Sequence, residues 1–330
     1  MIVYDGIVEE LQSSGGVTVV FKEIVSRSDN YIYYSYSPKS KICTNPIVKD
    51  KRFLERYRDV VVDTKCDVFH STYYRLPLNS NIPTVTTVHD FTYEKFSPWW
   101  KKSIHCWQKY KAIRRSERVI CVSDNTAEDL MKYCPIPESR ISVINNGVSK
   151  SYYPIKETIT NRDKVLFVGS RKSYKNFKVA VDAVSLTNNL LLTIVGGGRL
   201  TPHEINYLNN KLPSRFEYLG YVSEQDLNVL FNKAYCLIYP SSYEGFGIPI
   251  VEAMQAGCPV VSSANSSIPE VAGKAGILVK EIKAHAFADA LTSLGLYSTR
   301  HQQITLGLEN SRRFSWDRCF QETNLVYNSL

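Results

Sequence analysis

Two glutamates, Glu244 and Glu252, bracket a glycine-rich turn and have the spacing in this chain that most suits chemistry. An apolar run before the turn predicts a buried strand, and Pro249 opens a predicted helix. Gly245 and Gly247 let the backbone approach a ligand closely, while the first N–H groups of a helix favour an anion. With Glu244 in the loop and Glu252 in the first helical turn, both carboxylates are expected to face one pocket. A purely structural role, a helix-start charge and a loop residue, stays open.

The surrounding letters resemble the donor-site signature of the retaining family 4 glycosyltransferases, which have the GT-B fold. Residues 244–261 read E-G-F-G-I-P-I-V-E followed by A-M-Q-A-G-C-P-V-V. The resemblance implies that Glu244 contacts the donor sugar and that Glu252 accepts hydrogen bonds from the donor ribose hydroxyls. It assigns further donor contacts to the turn and the helix start, at Gly245, Phe246, Gly247 and Ile248.

A second candidate anion site follows the apolar run 165–168. A glycine at a strand end, then cations and a helix, can position a diphosphate with backbone donors and neutralise its charge. The family places a Lys-Asn pair six residues after such a glycine, and Gly169 and Lys175 match that spacing. The resemblance therefore assigns the diphosphate to Gly169, Ser170 and Lys175, and to Arg171 at a less regular offset. Read alone, the segment could equally be a solvated basic loop.

His89 stands where another predicted strand, residues 84–88, runs out into a loop, and ligands bind at such strand ends in parallel sheets. A lone histidine is more often structural, because a ring nitrogen readily finds a backbone partner. The phrase P-T-V-T-T-V-H-D-F resembles the family's histidine–aspartate segment, which implies that His89 contacts the donor sugar. Asp90 is expected to orient the ring or the loop. Gly16, in a Gly-Gly pair before an apolar-periodic stretch, matches a glycine loop that the family places between donor and acceptor; a simple turn is the alternative.

Strands that alternate with helical stretches predict an α/β protein with parallel sheets covered on both faces. We expect helices over 51–64 and 99–116, and a final helix capped by Ser315 with Trp316, Phe320, Leu325 and Tyr327 in reach of a core. The resemblance implies the GT-B architecture: two Rossmann-like domains that face a cleft, and a C-terminal helix that crosses back to the first. The predicted divisions are 1–153 for the acceptor, 154–312 for the nucleotide-sugar donor, and 313–330 for the crossing helix.

Composition fits an ordinary globular protein of two domains, with 330 residues, 44% hydrophobic residues and a net charge of +8. The eight cysteines form no C-x-x-C pair and are expected to be free, buried thiols. No apolar run is long enough to span a bilayer and the N-terminus lacks a signal-peptide pattern, so we expect a cytoplasmic protein. No D-x-D occurs, so no metal is expected. No cofactor is expected besides the donor substrate.

The stretch Trp99–Arg118 is basic and rich in tryptophan, with Lys101, Lys102 and Lys109 among its cations. Such a helix suits docking on an anionic membrane, which would place the protein peripherally at the inner membrane face. The alternative is a helix whose tryptophan face packs on the sheet while its lysines and arginines stay in water.

The family resemblance implies a retaining glycosyltransferase that uses a nucleotide-diphosphate sugar, and the missing D-x-D predicts that it is metal-independent. The segments around His89 and Lys175 look like those of bacterial mannosyltransferases, which favours GDP-mannose as donor. The acceptor is then a saccharide, lipid-linked in O-antigen, lipopolysaccharide or another surface polysaccharide, and no nucleic acid is expected to bind. Two alternatives stay open: a nucleotide-sugar epimerase of the same architecture, and a non-catalytic sugar-nucleotide binding protein.

Overall fold

The computed structural model describes residues 1–12, 15–156 and 162–330, and for residues 99–102 the backbone alone. These residues form two compact units. The first comprises Met1–Gly147 together with Ser315–Leu330, and the second comprises Val148–Phe314.

The strands are β1 (Ile2–Asp5), β2 (Tyr31–Ser35), β3 (Ile47–Val48), β4 (Val68–Ser71), β5 (Thr84–Val88), β6 (Arg118–Cys121), β7 (Ile141–Val143), β8 (Lys164–Val168), β9 (Leu191–Val195), β10 (Phe216–Gly220), β11 (Cys236–Tyr239), β12 (Val260–Ser263) and β13 (Gly276–Val279). The helices are α1 (Val8–Leu11), α2 (Gly16–Val25), α3 (Thr92–Phe96), α4 (Trp99–Arg115), α5 (Asp124–Tyr133), α6 (Phe177–Ser185), α7 (Pro202–Lys211), α8 (Glu224–Lys233), α9 (Ile248–Gln255), α10 (Ile268–Ala272), α11 (Ala284–Ser293), α12 (Tyr297–Ser311) and α13 (Trp316–Asn328).

Each unit is built on one sheet whose strand pairs are all parallel. The first sheet has the order β3-β2-β1-β4-β5-β6-β7, and the second has the order β10-β9-β8-β11-β12-β13. In both, the strand order reverses beside the first strand, which is the Rossmann pattern with its ligand crevice at the reversal. The expectation of an α/β protein with two Rossmann-like sheets is confirmed.

The second sheet's switch point brings together the two loops that the sequence singled out. β8 and β11 are neighbours, so Gly169 and the loop 240–247 both begin at the carboxyl ends of adjacent strands. The apolar side chains of β8 and β11 enter a core that includes Val165, Phe167, Cys236 and Ile238. These runs are continuously apolar because the strands are buried on both faces.

The final helix packs on the first unit, as expected. Ser315 caps α13 by accepting a hydrogen bond from the Arg318 N–H, and Trp316 and Tyr327 join the core of the first unit. Leu325 was expected to face that core but is exposed, and Val326 is buried instead. A Cβ at Gly147 would meet the Trp316 backbone nitrogen, so glycine is needed there for close approach.

One other expectation about the first unit, the helix over 51–64, is wrong. Residues 51–64 form only a 3-10 turn at Glu55–Tyr57 rather than a helix. Leu54 has a left-handed backbone, with φ of 57°, and the carboxylate of Glu55 is buried against Arg52 and Arg75, which fixes an irregular path.

The eight cysteines are free as expected, seven of them buried and Cys66 partly so. None of the helices in the described chain is long and apolar enough to cross a membrane.

Candidate active site

The structure places Lys175 and Glu244 in direct contact, although 68 residues separate them in the chain. Lys175 lies in the 3-10 turn Ser173–Lys175, and its Nζ is 2.5 Å from Glu244 Oε1. The same ammonium donates to the Tyr239 hydroxyl at 2.9 Å and lies 4.9 Å from the centre of that ring. Both charged side chains are mostly buried, so this ion pair lies in a low-dielectric environment beside the switch point.

The loop that carries Glu244 is fixed by serines that follow β12. Ser266 Oγ donates to the Glu244 carbonyl at 2.6 Å, and Ser267 Oγ is 3.0 Å from both the Glu244 and the Phe246 carbonyls. Gly247 has φ of 98° and begins α9 from a left-handed conformation that only glycine adopts without cost. The Glu244 and Phe246 carbonyls of the signature turn therefore have hydrogen-bond partners in the loop after β12, which fixes the turn.

The other residues of this turn divide between backbone and packing roles. Gly245 and Phe246 are buried, and the Phe246 ring packs edge-on against Phe314 with centroids 5.5 Å apart. Ile248 is the first residue of α9 and is half-buried. The phenyl side chain is thus a core element, and a donor contact at Phe246 would come from its backbone.

Glu252 lies in α9 but in its second turn, not its first, because the helix begins at Ile248 rather than Pro249. Burial, and to a smaller extent the nearby Glu224 carboxylate, raise the pKa of Glu252 to about 7, although a hydrogen bond with Tyr152 opposes the shift. The Tyr152 side chain is itself buried. Gln255 fixes it by donating to its carbonyl at 2.8 Å. Burial raises the pKa of the Tyr239 hydroxyl, and Glu244 and Glu252 act in the same direction, so the two glutamates lie near one side chain.

Arg171 makes several hydrogen bonds within the second unit, which favour a structural role over the predicted contact with the diphosphate. Its Nε donates to Glu204 at 2.8 Å, one terminal nitrogen donates to the Gly196 carbonyl, and the other donates to the carbonyls of Gly198 and Arg199. Four of its five N–H groups are therefore used to hold the loop after β9. Gly169 has φ of 113°, and no atom lies within 4 Å of where its Cβ would be. Ser170 is half-buried. Both residues therefore remain candidates for contact with the diphosphate.

In the first unit, His89 follows β5 as expected and presents an unsatisfied nitrogen. Its Nε2 is buried and has no hydrogen-bond partner within the described residues. Burial lowers the pKa of His89 to about 4, so the ring is neutral at pH 7 and can donate or accept one hydrogen bond. The ring packs edge-on against Phe21 of α2, the helix that Gly16 opens, with centroids 6.1 Å apart. Asp90 orients the loop rather than the ring, because its Oδ1 accepts from the Thr92 N–H at 2.8 Å.

In the helix α4, Lys109 and Trp107 depart from what the two interpretations of the basic, tryptophan-rich stretch expect. Lys109 is fully buried, where its Nζ pairs with Glu94 at 3.0 Å and donates to the Asp90 carbonyl at 2.6 Å. Trp107 is 61% exposed, so the tryptophan faces solvent and this lysine faces the core. Lys109 therefore cannot contact a membrane, and the side chains of Trp99, Trp100, Lys101 and Lys102 lie outside the described residues.

Comparison with known proteins decides the family. A family model described as glycosyl transferases group 1 matches residues 151–304, and one described as Glycosyltransferase Family 4 matches residues 8–152. The O-antigen chain mannosyltransferase B of Escherichia coli is 30% identical over 294 residues, which cover 81% of this chain and 76% of the relative. The chain belongs to glycosyltransferase family 4. It is thus an enzyme that transfers a sugar.

Other relatives support the same assignment. The MMP alpha-(1->4)-mannosyltransferase of Mycolicibacterium hassiacum is 26% identical over 298 residues, 82% of this chain and 70% of the relative. Among solved structures, Anabaena Alr3699/HepE in complex with UDP-glucose has a TM-score of 0.79 at 15% identity, covering 100% of this chain and 99% of that one. The sucrose-phosphate synthase of Thermosynechococcus elongatus has a TM-score of 0.78 at 18% identity, covering 99% and 98%. These structures show that this family 4 enzyme shares the GT-B fold.

Sequence reasoning missed Tyr152, Tyr239, Ser266 and Ser267. Tyr239 ends the apolar strand β11, so its hydroxyl was hidden in a hydrophobic pattern. The serines lie in a loop whose polarity is typical of any surface turn. Within the described residues, no group of three or more His, Cys, Asp or Glu side chains is arranged to hold a metal ion.

Proposed function

We propose that this enzyme transfers a mannosyl group from GDP-mannose to a hydroxyl of a saccharide acceptor, with retention at the anomeric carbon. The observation that carries the donor half is the Lys175–Glu244 pair at the switch point of the second sheet. The sugar is inferred from the names of relatives, including an O-antigen mannosyltransferase that is 30% identical. The product would be O-antigen or another surface polysaccharide.

In this proposal Lys175 and the N-terminus of α9 stabilise the charge that develops on the leaving diphosphate. The bond from the anomeric carbon to the phosphate oxygen breaks, a bond to the acceptor oxygen forms on the same face, and the acceptor proton passes to the leaving phosphate. Glu244 holds sugar hydroxyls, Glu252 holds the ribose, and neutral His89 offers one hydrogen bond to the donor sugar. No side chain is needed as a nucleophile.

The donor is tested by thermal shift with UDP, GDP, ADP and dTDP, followed by transfer assays with the sugar forms of the base that binds. A ligand at 100 times its dissociation constant stabilises the folded state by about 2.7 kcal/mol, which gives a clear shift. GDP should stabilise most. A larger shift with UDP, the nucleotide named in the Anabaena structure, would replace GDP-mannose in this proposal.

An epimerase of the same architecture is disfavoured by the family, and one incubation separates the two reactions. With GDP-mannose and no acceptor, a transferase should leave the sugar unchanged or hydrolyse it slowly, whereas an epimerase would return an isomerised donor. Proton NMR of the recovered sugar distinguishes these products.

We also propose that the reaction needs no metal ion, because the sequence lacks the D-x-D pair that holds a metal on donor phosphates and because Lys175 is available as a charge stabiliser. Turnover should therefore persist in millimolar EDTA. Loss of activity in EDTA that manganese or magnesium restores would overturn this part.

A peripheral contact with an anionic membrane completes the proposal, on a surface that shares only Ile104 and Trp107 with the stretch that the sequence indicated. We define the apolar ridge as Phe53, Leu54, Tyr57, Ile104 and Trp107, which are all exposed. The 53–57 segment lies beside α4, since Gln108 Nε2 donates to the Arg56 carbonyl and Lys111 Nζ is 3.1 Å from Asp59. Exposed aromatic and aliphatic side chains with nearby arginines suit the headgroup region of a bilayer.

A further inference from the structure

Five side chains of the first unit form a polar, aromatic cluster beside His89. They come from the 3-10 turn after β3, the loop after β4, and helices α3 and α4. We call them the Tyr73 cluster, and they are Arg56, Tyr73, Tyr93, His105 and Gln108. None of them was singled out by the sequence signature.

The cluster is continuous. The Tyr93 and His105 rings stack with centroids 3.9 Å apart and planes inclined by 21°, and the Tyr73 ring centre is 5.8 Å from that of His105. The Arg56 guanidinium lies 5.5 Å from the centre of the Tyr73 ring, and the Arg56 carbonyl accepts from Gln108. Tyr73, Tyr93 and Arg56 are half-buried at the rim, while His105 and Gln108 form the buried floor.

Three polar atoms of this cluster have no partner. His105 Nδ1, Gln108 Oε1 and Arg56 Nε are buried and make no hydrogen bond within the part of the chain that the structure describes. His105 and Gln108 are only 7% and 5% exposed, so solvent does not satisfy them freely. An unsatisfied buried polar group costs about 1 to 3 kcal/mol, so three in one place indicate a ligand that supplies the missing partners.

The composition of the cluster selects the class of ligand. Aromatic rings offer a flat face for the C–H side of a sugar, while amide, imidazole and guanidinium atoms match its hydroxyls. Two cations, Lys109 and Arg56, act electrostatically on His105, but Asp90 offsets this charge and Glu94 pairs directly with Lys109. A neutral polyhydroxyl compound therefore fits better than a phosphate, which would need an excess of cations.

We propose that the Tyr73 cluster binds the acceptor saccharide and is the specificity-determining subsite of the first unit. Within the first unit it lies beside Asp90, which acts electrostatically on Tyr73, His105 and the neighbouring His89. The proposal rests on the glycosyl transfer proposed above, and it adds the residues that choose the acceptor. It also continues to the apolar ridge, because Arg56 lies over the ring of Tyr57 at 4.8 Å.

The test uses ligand-observed NMR with the methyl α-pyranosides of mannose, glucose and galactose, on the full chain. His105→Phe keeps a flat ring stacked on Tyr93 but removes Nδ1, and it should weaken binding of the preferred pyranoside about tenfold. Arg56→Lys keeps the charge and removes Nε, and it should weaken binding by several fold even if His105→Phe proves unstable. His301→Phe is the matched control, since His301 stacks on Tyr297 at 5.9 Å in the second unit, and it should bind as the wild type does.

Donor readouts separate this inference from the proposed function. Nucleotide thermal shifts and acceptor-free donor hydrolysis should be unchanged in both cluster variants, while the KM for the saccharide acceptor rises. If both variants bind the saccharide as tightly as the wild type does, the proposed subsite is wrong. It is also wrong if the wild-type protein binds nucleotide but no pyranoside at tens of millimolar. A wild-type protein that binds no nucleotide would instead count against the proposed function.

Discussion

Lys175 has two possible partners in the proposed reaction, the Glu244 carboxylate that it contacts and the diphosphate that it would stabilise. We expect Lys175→Ala to lower turnover by about a hundredfold or more, because a positioned cation in a water-poor site contributes strongly to transition-state stabilisation. Initial rates of GDP release, measured at saturating donor, check this prediction.

Lys178→Ala is the matched control, because Lys178 is an exposed lysine three residues further on, in α6. It should keep normal turnover. Thermal denaturation of both variants is needed, since removal of Lys175 leaves Glu244 without its ion-pair partner. A folded Lys175→Ala protein with near-normal turnover would remove the diphosphate assignment.

Glu252 links the donor site to pH in a range that is easy to measure. Its pKa of about 7 is raised above the usual value of a carboxyl group, so the side chain is largely protonated at pH 6 and ionised at pH 8. If the carboxylate accepts the ribose hydroxyls, donor affinity should rise as the pH increases from 6 to 8. Calorimetric titration with GDP across this range checks it, and Glu252→Gln should abolish the rise.

The same raised pKa gives a stability prediction of opposite sign. The folded protein holds the Glu252 proton up to about pH 7, while the unfolded chain releases it near pH 4.5. Stability is therefore lost as pH rises between these values, and Glu252→Gln should remove that loss. Glu224→Gln should move both profiles to lower pH, because it removes a nearby negative charge. If neither substitution changes how donor affinity and stability depend on pH, the assigned pKa is wrong.

At the scale of elements, Arg171 illustrates how a charged residue beside a site can be a structural one. It ties the loop after β9 to the N-terminus of α7 through Glu204 and three carbonyls. Arg171→Ala should lower the free energy of unfolding by about 2 to 3 kcal/mol, because hydrogen bonds to a buried cation are lost. Urea denaturation measures this, with exposed Arg199→Ala as control, and turnover of the folded variant should stay near normal. A hundredfold loss of turnover without destabilisation would restore Arg171 to the diphosphate.

The elements that the sequence predicted well are those whose pattern is set by burial on both faces. β5 has the expected bounds, residues 84–88, and β8 extends the expected run 165–168 by one residue, because strands buried on both faces leave little choice. The cap of α13 was predictable for a local reason, as Ser315 precedes an apolar-periodic stretch.

Long-range charge pairs explain what could not be predicted. Glu55 was read as a helix former, but Arg75, 20 residues later, holds it in a 3-10 turn. Lys109 was read as a surface cation, yet Glu94 neutralises it in the core and leaves Trp107 outside. The Lys175–Glu244 contact was likewise hidden, since each residue was assigned a different part of the donor. In all three cases a partner distant in sequence reversed the ordinary preference of a charged side chain.

At the scale of the whole molecule, the net charge of +8 and the apolar ridge bear on where the enzyme works. If the acceptor is attached to a lipid, the first unit must lie at a membrane surface, and the ridge offers Phe53, 82% exposed, together with Trp107. Apolar side chains supply binding energy through burial in the headgroup region, and cations add on the order of 1 kcal/mol each near anionic lipid.

We expect the wild-type protein to sediment with phosphatidylglycerol vesicles at low salt and less so at high salt, because screening weakens the charged part of the attraction. Phe53→Asp combined with Trp107→Asp should abolish sedimentation while turnover on a short, lipid-free acceptor stays intact. Tyr297→Asp, at an 81% exposed tyrosine of the second unit, is the matched control and should sediment normally. Sedimentation velocity of the same proteins without vesicles tests whether the ridge instead joins two copies of the chain. A wild-type protein that ignores anionic vesicles at low salt would refute the membrane contact, and the ridge would then have to be explained by another partner.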